Sequence, residues 1–485
     1  MPGTDTTLQL LRDFESRNVT FVAPDGSWPI VWDRARGVHV RDAEGGKYLD
    51  LTAAFGVAAA GHANARVVQA GQRQMARLLH AMGDVHPHAL KARLARRLSG
   101  ITFERWTATP AAAAAAKPYE GNFAPRKVPA KSNVRRGAET ISGRQDTARH
   151  GSQGCLPPLT GKVIFANSGF EAVEAALKTA LLATGKSGVI AFEGAYHGLG
   201  YGALNATHRD HFRGPFRPQL GEFGHFVPFP ASNGPARSSL PNVEACLRRI
   251  CRRKSIGAIV VEPIQVRGGL NLPPPGFLPL LRKLCDERGA LLIFDEIYTG
   301  FGRTGKWFAG EHSRTVPDLI CLGKALTGGF PLSACVGRAG LMDAAWPAST
   351  GEAIHTSTFL GHPVGCAMAL AQIDEIERLN LPERAAELGQ YLLAELGKIR
   401  FPKWRLAGSA RGLGLMAGLE LTLPNGKPAT GVALGAIKAL LQRGYIVLPE
   451  GADANVISFT PPLTISKKQL ATAVAALGEV LRGKR

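Results

Sequence analysis

The stretch Ala290 to Gly310, ALLIFDEIYTGFGRTGKWFAG, runs an apolar segment into two acids and then into a glycine-rich loop. From Gly300 the loop comes one residue short of the phosphate-cradling pattern G-x-x-x-x-G-K-[ST]. Trp307 stands where a Ser or Thr would hold Mg²⁺, and the following WFAGEH does not open a helix, so a nucleoside-triphosphate site is excluded. Asp295 and Glu296 remain, delivered by the predicted strand LLIF to its C-terminal end, where open α/β sheets place their ligands. An acid at a strand end is more often a cap or a solvated turn, so it needs a partner to carry chemistry.

Lys324 is that partner. It follows a second apolar run in DLICLGKALTGGFPLSA, flanked by Gly323 and by the Gly328-Gly329 turn. A lysine in a glycine-walled pocket can lose its proton and form a Schiff base, whereas an isolated loop lysine is simply solvated. An aspartate and a lysine at the ends of successive strands are the two groups that pyridoxal phosphate requires. The lysine makes the imine, and the aspartate keeps the ring nitrogen protonated so that the ring accepts a carbanion's electrons. A seat for the phosphate is predicted in NSGFEAVEAALKTALLATG, where Ser168-x-x-Glu171 spells a capping box before a helical run. Backbone N–H groups at Ser168, Gly169 and Phe170, with the positive helix end, would bind an anion.

The elements that must position these groups are short apolar runs at 163, 188, 257, 290, 318 and 332, alternating with helical patterns. Runs apolar throughout suit strands buried on both faces, which predicts an α/β fold with a mostly parallel central sheet covered by helices. Beyond about Gly365 the pattern changes to a smaller α+β domain. The expected organisation is an N-terminal segment over 1–65, a large cofactor-binding domain over 66–365 and a C-terminal small domain over 366–485. Within the large domain, 107–159 is rich in Ala, Pro, Gly and basic residues with few aliphatic anchors, and is expected to be a mobile surface insertion.

Composition narrows the function classes. The 485 residues are 45% hydrophobic and 20% charged, enough for a large buried core. No run of eighteen uncharged apolar residues occurs and the N-terminus mixes acids and bases, which predicts a cytoplasmic protein without membrane association. Seven cysteines without a C-x-x-C pair argue against a disulfide framework or a zinc site, and no metal is expected. The net charge of +20 raises nucleic acid as a partner. The basic residues are spread along the chain without runs or interleaved aromatics, which counts against that partner.

The ordered motifs AAFGVAAAGH, NSGFEAVEAALK, GAYHG, VEPIQ, FDEIYTGFGRTG, GKALTGG, HTSTFLGHPVGCA and RGLGLM cover nearly everything except the insertion. In them the chain resembles the class III, or omega-amino-acid, aminotransferases of the fold type I pyridoxal phosphate enzymes. The resemblance implies that Lys324 is the Schiff-base lysine and Asp295 the partner of the pyridine nitrogen. It implies that Tyr196 stacks on the ring with His197 beside it, that Gln265 bonds near the ring hydroxyl, and that Glu262 supports the site. Thr358, with Ser357, would reach the phosphate of a neighbouring subunit, which requires a homodimer with shared active sites. Arg411 would bind the substrate carboxylate, and Phe55 and Val57 would line the substrate pocket.

Two departures stand out. After VEPIQ most relatives carry Gly-Glu, whose glutamate can pair with the carboxylate-binding arginine; here the pair is Val266-Arg267. Arg411 thus loses its expected partner, and Arg267 becomes a second candidate for a donor's carboxylate. Leu360-Gly361-His362 replaces the usual Gly-Gly-Asn before Pro363, and His362 reads as a turn residue without a role. The expected activity is transfer of an amino group from an omega-amino acid such as 4-aminobutyrate to a 2-oxo acid, 2-oxoglutarate foremost. An acetylornithine or ornithine aminotransferase, an aminomutase of the glutamate-1-semialdehyde type and a decarboxylating transaminase are the alternatives on the same scaffold.

Overall fold

The computed structural model describes residues 3–108, 159–231, 236–400 and 406–483. Its central element is a seven-stranded sheet: β1 (Gly161–Ala166), β2 (Gly188–Phe192), β3 (Gly224–Val227), β4 (Ile256–Val261), β5 (Leu291–Asp295), β6 (Leu319–Leu322) and β7 (Ser333–Arg338), in the order β1-β7-β6-β5-β4-β2-β3. β2 to β6 pair in parallel, while β7 runs antiparallel to both β6 and β1. β1 therefore points the same way as the parallel set. The runs read from sequence fall on these strands; the edge strand β3, GHFV, is an addition.

The alternation along each strand explains why these runs are apolar throughout. Ile259, Val261, Leu292, Phe294, Ile320 and Leu322 enter one core, while their neighbours Ala258, Val260, Leu291, Ile293, Leu319 and Cys321 enter another. Successive side chains leave opposite faces, so both faces must be covered. The second core is closed by the helix Gly169–Thr184, whose Ala172, Ala175, Ala176 and Ala180 allow close approach to the sheet. That helix ends at Gly185, which adopts φ +66.

Two smaller sheets complete the described chain. One joins Trp32–Arg36, His39–Asp42 and Lys47–Asp50 to the distant strand Tyr445–Ile446, which pairs in parallel with Lys47–Asp50. The other is antiparallel and joins Ala407–Gly412, Ala417–Thr422, Val456–Phe459 and Leu448–Glu450. Nearly all of the insertion expected at 107–159 lies outside the described residues. Among the described residues no helix is long and apolar enough to cross a membrane.

Candidate active site

The C-terminal ends of the co-directed strands converge on one cavity of about 620 Å³. After β1 come Gly169 and Phe170, after β2 Tyr196 and His197, after β4 Glu262 and Arg267, at the end of β5 Asp295, and after β6 Lys324, all in its lining. The sheet order reverses here, since β3 lies on one side of β2 and β4 on the other. Such a switch point leaves a crevice that no crossover helix fills.

Asp295 is buried, and its carboxylate is fixed at both oxygens. One accepts from His197 Nδ1 at 2.8 Å and the other from the Ile297 N–H at 3.1 Å. Burial opposes a charge on His197, but the hydrogen bond and charge of Asp295, with Glu262 behind, lift its pKa above the ordinary histidine value. His197 Nε2 is buried and has no partner among the described residues. Glu262 accepts the Tyr196 N–H at 2.9 Å, and burial pushes its pKa up to about 7.

Lys324 sits at φ +34, a conformation that a residue with a Cβ holds only when its surroundings impose it. Burial pulls its pKa below the usual lysine range; Asp295, Glu262 and Glu450 act the other way, and Arg267 adds to the depression. Its Nζ lies 4.6 Å from the centre of the Tyr298 ring.

The capping box read at Ser168 and Glu171 is present at the helix start expected to hold a phosphate. Glu171 turns back to accept the N–H groups of Asn167 and Ser168, at 2.8 and 2.7 Å. The Ser168 N–H is therefore already taken. Gly169 and Phe170 carry the helix's first free N–H groups and line the cavity. The wall is narrow there: Gly198 adopts φ +113, and a Cβ on it would stand 2.3 Å from Phe170 Cβ. A free helix N-terminus, a fixed carboxylate, an unpartnered imidazole nitrogen and a lysine of depressed pKa around one cavity fit the phosphate, ring nitrogen and aldehyde of pyridoxal phosphate.

Several predicted residues are placed elsewhere. Arg411 does not line this cavity. Its Nε donates to Gly269 O at 3.2 Å and Leu270 O at 2.9 Å, Nη2 donates to Gly269 O, and Nη1 pairs with Glu420 at 2.5 Å. It faces a second cavity, beside Glu193, Asn271 and Glu420. In the free protein its fork is thus engaged by two main-chain carbonyls and by Glu420. Gln265 is fully buried, donates to Glu193 O at 3.0 Å and accepts from Asn271 Nδ2 at 3.3 Å; it too lies outside the lining. Phe55 lines the cavity, whereas the half-buried Val57 does not. Ser357 and Thr358 are exposed and stand apart from the cavity of their own chain. His362 accepts the Val364 N–H on Nδ1 at 3.2 Å and caps the helix Pro363–Arg378.

The basic group facing the cavity besides Lys324 and His197 is Arg267. Its Nη1 lies 3.1 Å from Glu450 Oε2, and its guanidinium is 6.0 Å from the Tyr196 ring centre. Glu450 is buried, its Oε1 has no partner among the described residues, and burial pushes its pKa up to about 7 against the pull of Arg267. Sequence reading missed Tyr298, Leu199 and Ile297 in the lining, and Glu450 behind it. Ile297 and Tyr298 stand two and three residues after Asp295, so proximity could have flagged them. Nothing in VLPEGAD distinguishes Glu450 from a solvated turn acid.

Known proteins resemble this chain over nearly its whole length. The aminotransferase class-III family profile matches residues 21–118 and 134–481. The acetylornithine aminotransferase of Methanosarcina mazei is 34% identical over 452 residues, covering 93% of this chain and 92% of that one. The 5-aminovalerate aminotransferase of Pseudomonas aeruginosa is 33% identical, covering 93% of each. Among solved structures, a PLP-bound amine transaminase from an uncultivated Pseudomonas species superposes with a TM-score of 0.77 at 26% identity, over 97% of this chain and 99% of that one.

Proposed function

This chain belongs to the class III aminotransferases, pyridoxal-phosphate-dependent enzymes of fold type I, and on that premise we propose that it draws the amino group from an omega-amino acid such as 4-aminobutyrate and passes it to 2-oxoglutarate. The observation that carries the donor class is the position of Arg267. It brings a fork of donors to the cavity that holds Lys324, suited to a carboxylate at the far end of the donor.

Bound pyridoxal phosphate supplies an aldehyde to receive amines and a ring that stabilises the carbanion left by proton loss. Lys324 would hold that aldehyde, the N–H groups of Gly169 and Phe170 the phosphate, and Tyr196 a face of the ring. Asp295, kept in place by His197, would hold a proton on the ring nitrogen. Once free, the Lys324 amine is the proton carrier: its depressed pKa lets it take a proton from the donor carbon and return it nearby, which a fully basic lysine does poorly. Phe55, Phe170, Tyr196, Leu199 and Tyr298 give the space around it a largely apolar wall.

The enzyme is read as a homodimer. The segments around 80 and 359 pack together through His80 and Phe359, with ring centres 5.4 Å apart, and through Thr356 Oγ1 to Asp84 at 2.6 Å. They expose Leu79, Met82, Val85, Ile354 and Phe359, each more than half accessible, beside Ser357 and Thr358. A second copy covering this patch would bring Ser357 and Thr358 to its neighbour's cofactor phosphate. A solution mass of one 51.5 kDa chain rather than two removes this part of the reading.

The activity is tested by adding 4-aminobutyrate, 5-aminovalerate, ornithine, acetylornithine and putrescine singly to the cofactor-loaded protein and following the cofactor's absorbance. Conversion with the first two, reversed by 2-oxoglutarate, supports the proposal. Conversion by putrescine alone, which has no carboxylate, refutes the role of Arg267. Turnover without a second keto acid would assign a mutase instead.

A further inference from the structure

Among the described residues the Lys324 ε-amine makes no hydrogen bond. It stands over the face of Tyr298, with Nζ 4.6 Å from the ring centre. A free ammonium seeks three acceptors, and here it meets the negative face of an aromatic ring. That ring cannot drift. Thr460 Oγ1 spends its proton on Thr52 O at 3.2 Å, so the Tyr298 hydroxyl, 3.2 Å from Thr460 Oγ1, is the donor of their bond. On another side Gly56, at φ +80, abuts the ring so closely that a Cβ there would stand 2.9 Å from Tyr298 Cε1. The remaining edge packs against Ile264, Val266, Leu270, Met416 and Val456. Four stretches far apart in sequence thus fix one ring beneath one amine.

We propose that Tyr298 is a positioning residue for Lys324: its ring is the resting place of the free ε-ammonium and sets how readily that amine gives up its proton. This rests on the reading of Lys324 as the amine that holds the cofactor and then moves the proton. The groups acting on the same amine are Asp295, Glu262 and Glu450, which favour its charge, and Arg267, which opposes it. None of the three carboxylates makes an ion pair with the amine, whereas the ring lies against it. It stabilises the charge without accepting the proton, so the lysine stays protonated in place yet can deliver the proton to whatever base forms beside it. A carboxylate in the same place would hold the proton more tightly and slow its return.

The test measures the proton affinity of Lys324 directly, in the full chain loaded with the cofactor's amine form, in which Lys324 is free. Trace acetic anhydride is applied across pH, and acetylation of Lys324 is read by mass spectrometry. Tyr298→Phe keeps the ring and should keep the wild-type midpoint. Tyr298→Leu removes it and should lower the midpoint by about half to one and a half pH units. Phenylalanines of rising fluorine content at position 298 keep the shape while draining the ring of electrons. They should lower the midpoint stepwise, which serves if the leucine variant does not fold. An unchanged midpoint in the leucine variant or across the fluorinated series overturns the proposal, as does a Phe variant that shifts as far as the leucine one. If borohydride traps no cofactor on Lys324 of the wild-type protein, the underlying reading of Lys324 fails, and the proposal falls with it.

Discussion

Arg267→Ala separates a carboxylate-binding arginine from a structural one. In the free protein Arg267 gives a charge-assisted hydrogen bond to Glu450 at 3.1 Å with its side chain 30% exposed. A substrate carboxylate would take over a bond of the same kind, about 1.5–3 kcal/mol. Solvent at the guanidinium favours the lower half of that range, so kcat/KM for 4-aminobutyrate should fall roughly 10- to 40-fold. Butylamine has the same length without the carboxylate, and its kcat/KM should change less than about threefold. Arg411→Ala is the control. It should leave the ratio of the two donors unchanged while lowering thermal stability, because Gly269 O, Leu270 O and Glu420 lose their donor. Steady-state kinetics of the two variants with the two amines completes the test. Equal loss for both amines in Arg267→Ala, no loss for either, or loss of selectivity in Arg411→Ala would refute the assignment.

Three further outcomes are expected. The Glu450 carboxyl, raised from its ordinary 4.5 to about 7, is ionised and holds Arg267 at pH 8 but is protonated at pH 6. KM for a carboxylate donor should therefore improve as pH falls through 7, and Glu450→Gln should flatten that profile; the same shift makes the carboxyl's contribution to stability decline as pH rises from 4.5 to 7, which chemical denaturation can follow. Gly198→Ala should weaken cofactor retention without unfolding the protein, since the new methyl group displaces Phe170 from the cavity wall, and dialysis followed by absorbance reads the loss. Glu296 accepts from the Thr299 hydroxyl at 2.6 Å and from the Ala309 and Gly310 N–H groups, both at 2.8 Å; in Glu296→Gln one oxygen becomes a donor facing donors, which should cost about 1–3 kcal/mol in a thermal melt.

The strands and the Asp295–Lys324 pair were legible because burial on both faces writes an unbroken apolar run, and because the ends of such runs are few. The edge strand Gly224–Val227 was not: three of its four residues are only half-buried, so GHFV carries no such signature. The main-chain partners of Arg411 are not written in any sequence pattern. A guanidinium fork suits two main-chain carbonyls as well as it suits a carboxylate, and only the fold shows which it faces. Arg267 was singled out from sequence, but its partner Glu450 lies 183 residues away, a pairing that no local pattern encodes. Tyr298 carries no signal beyond its nearness to Asp295, because a tyrosine after a strand is usually packing. Its contact with Lys324 depends on Thr460, Thr52 and Gly56.

The parallel pairing of Lys47–Asp50 with Tyr445–Ile446 ties the order of synthesis to the birth of the pocket. Asp50 holds the Thr52 N–H and hydroxyl, at 2.8 and 2.6 Å, and that turn leads directly to Phe55 and Gly56. While the ribosome is still making the large sheet, this early stretch is paired on one side only, with His39–Asp42, and its other edge must wait. Closing it demands a contact across almost the whole polypeptide, so its assembly is expected to be a late and slow event, at a time when much of the chain is already compact. Cofactor capture would then report completion of the last strand, and a nascent chain stalled before residue 445 should remain without its vitamin.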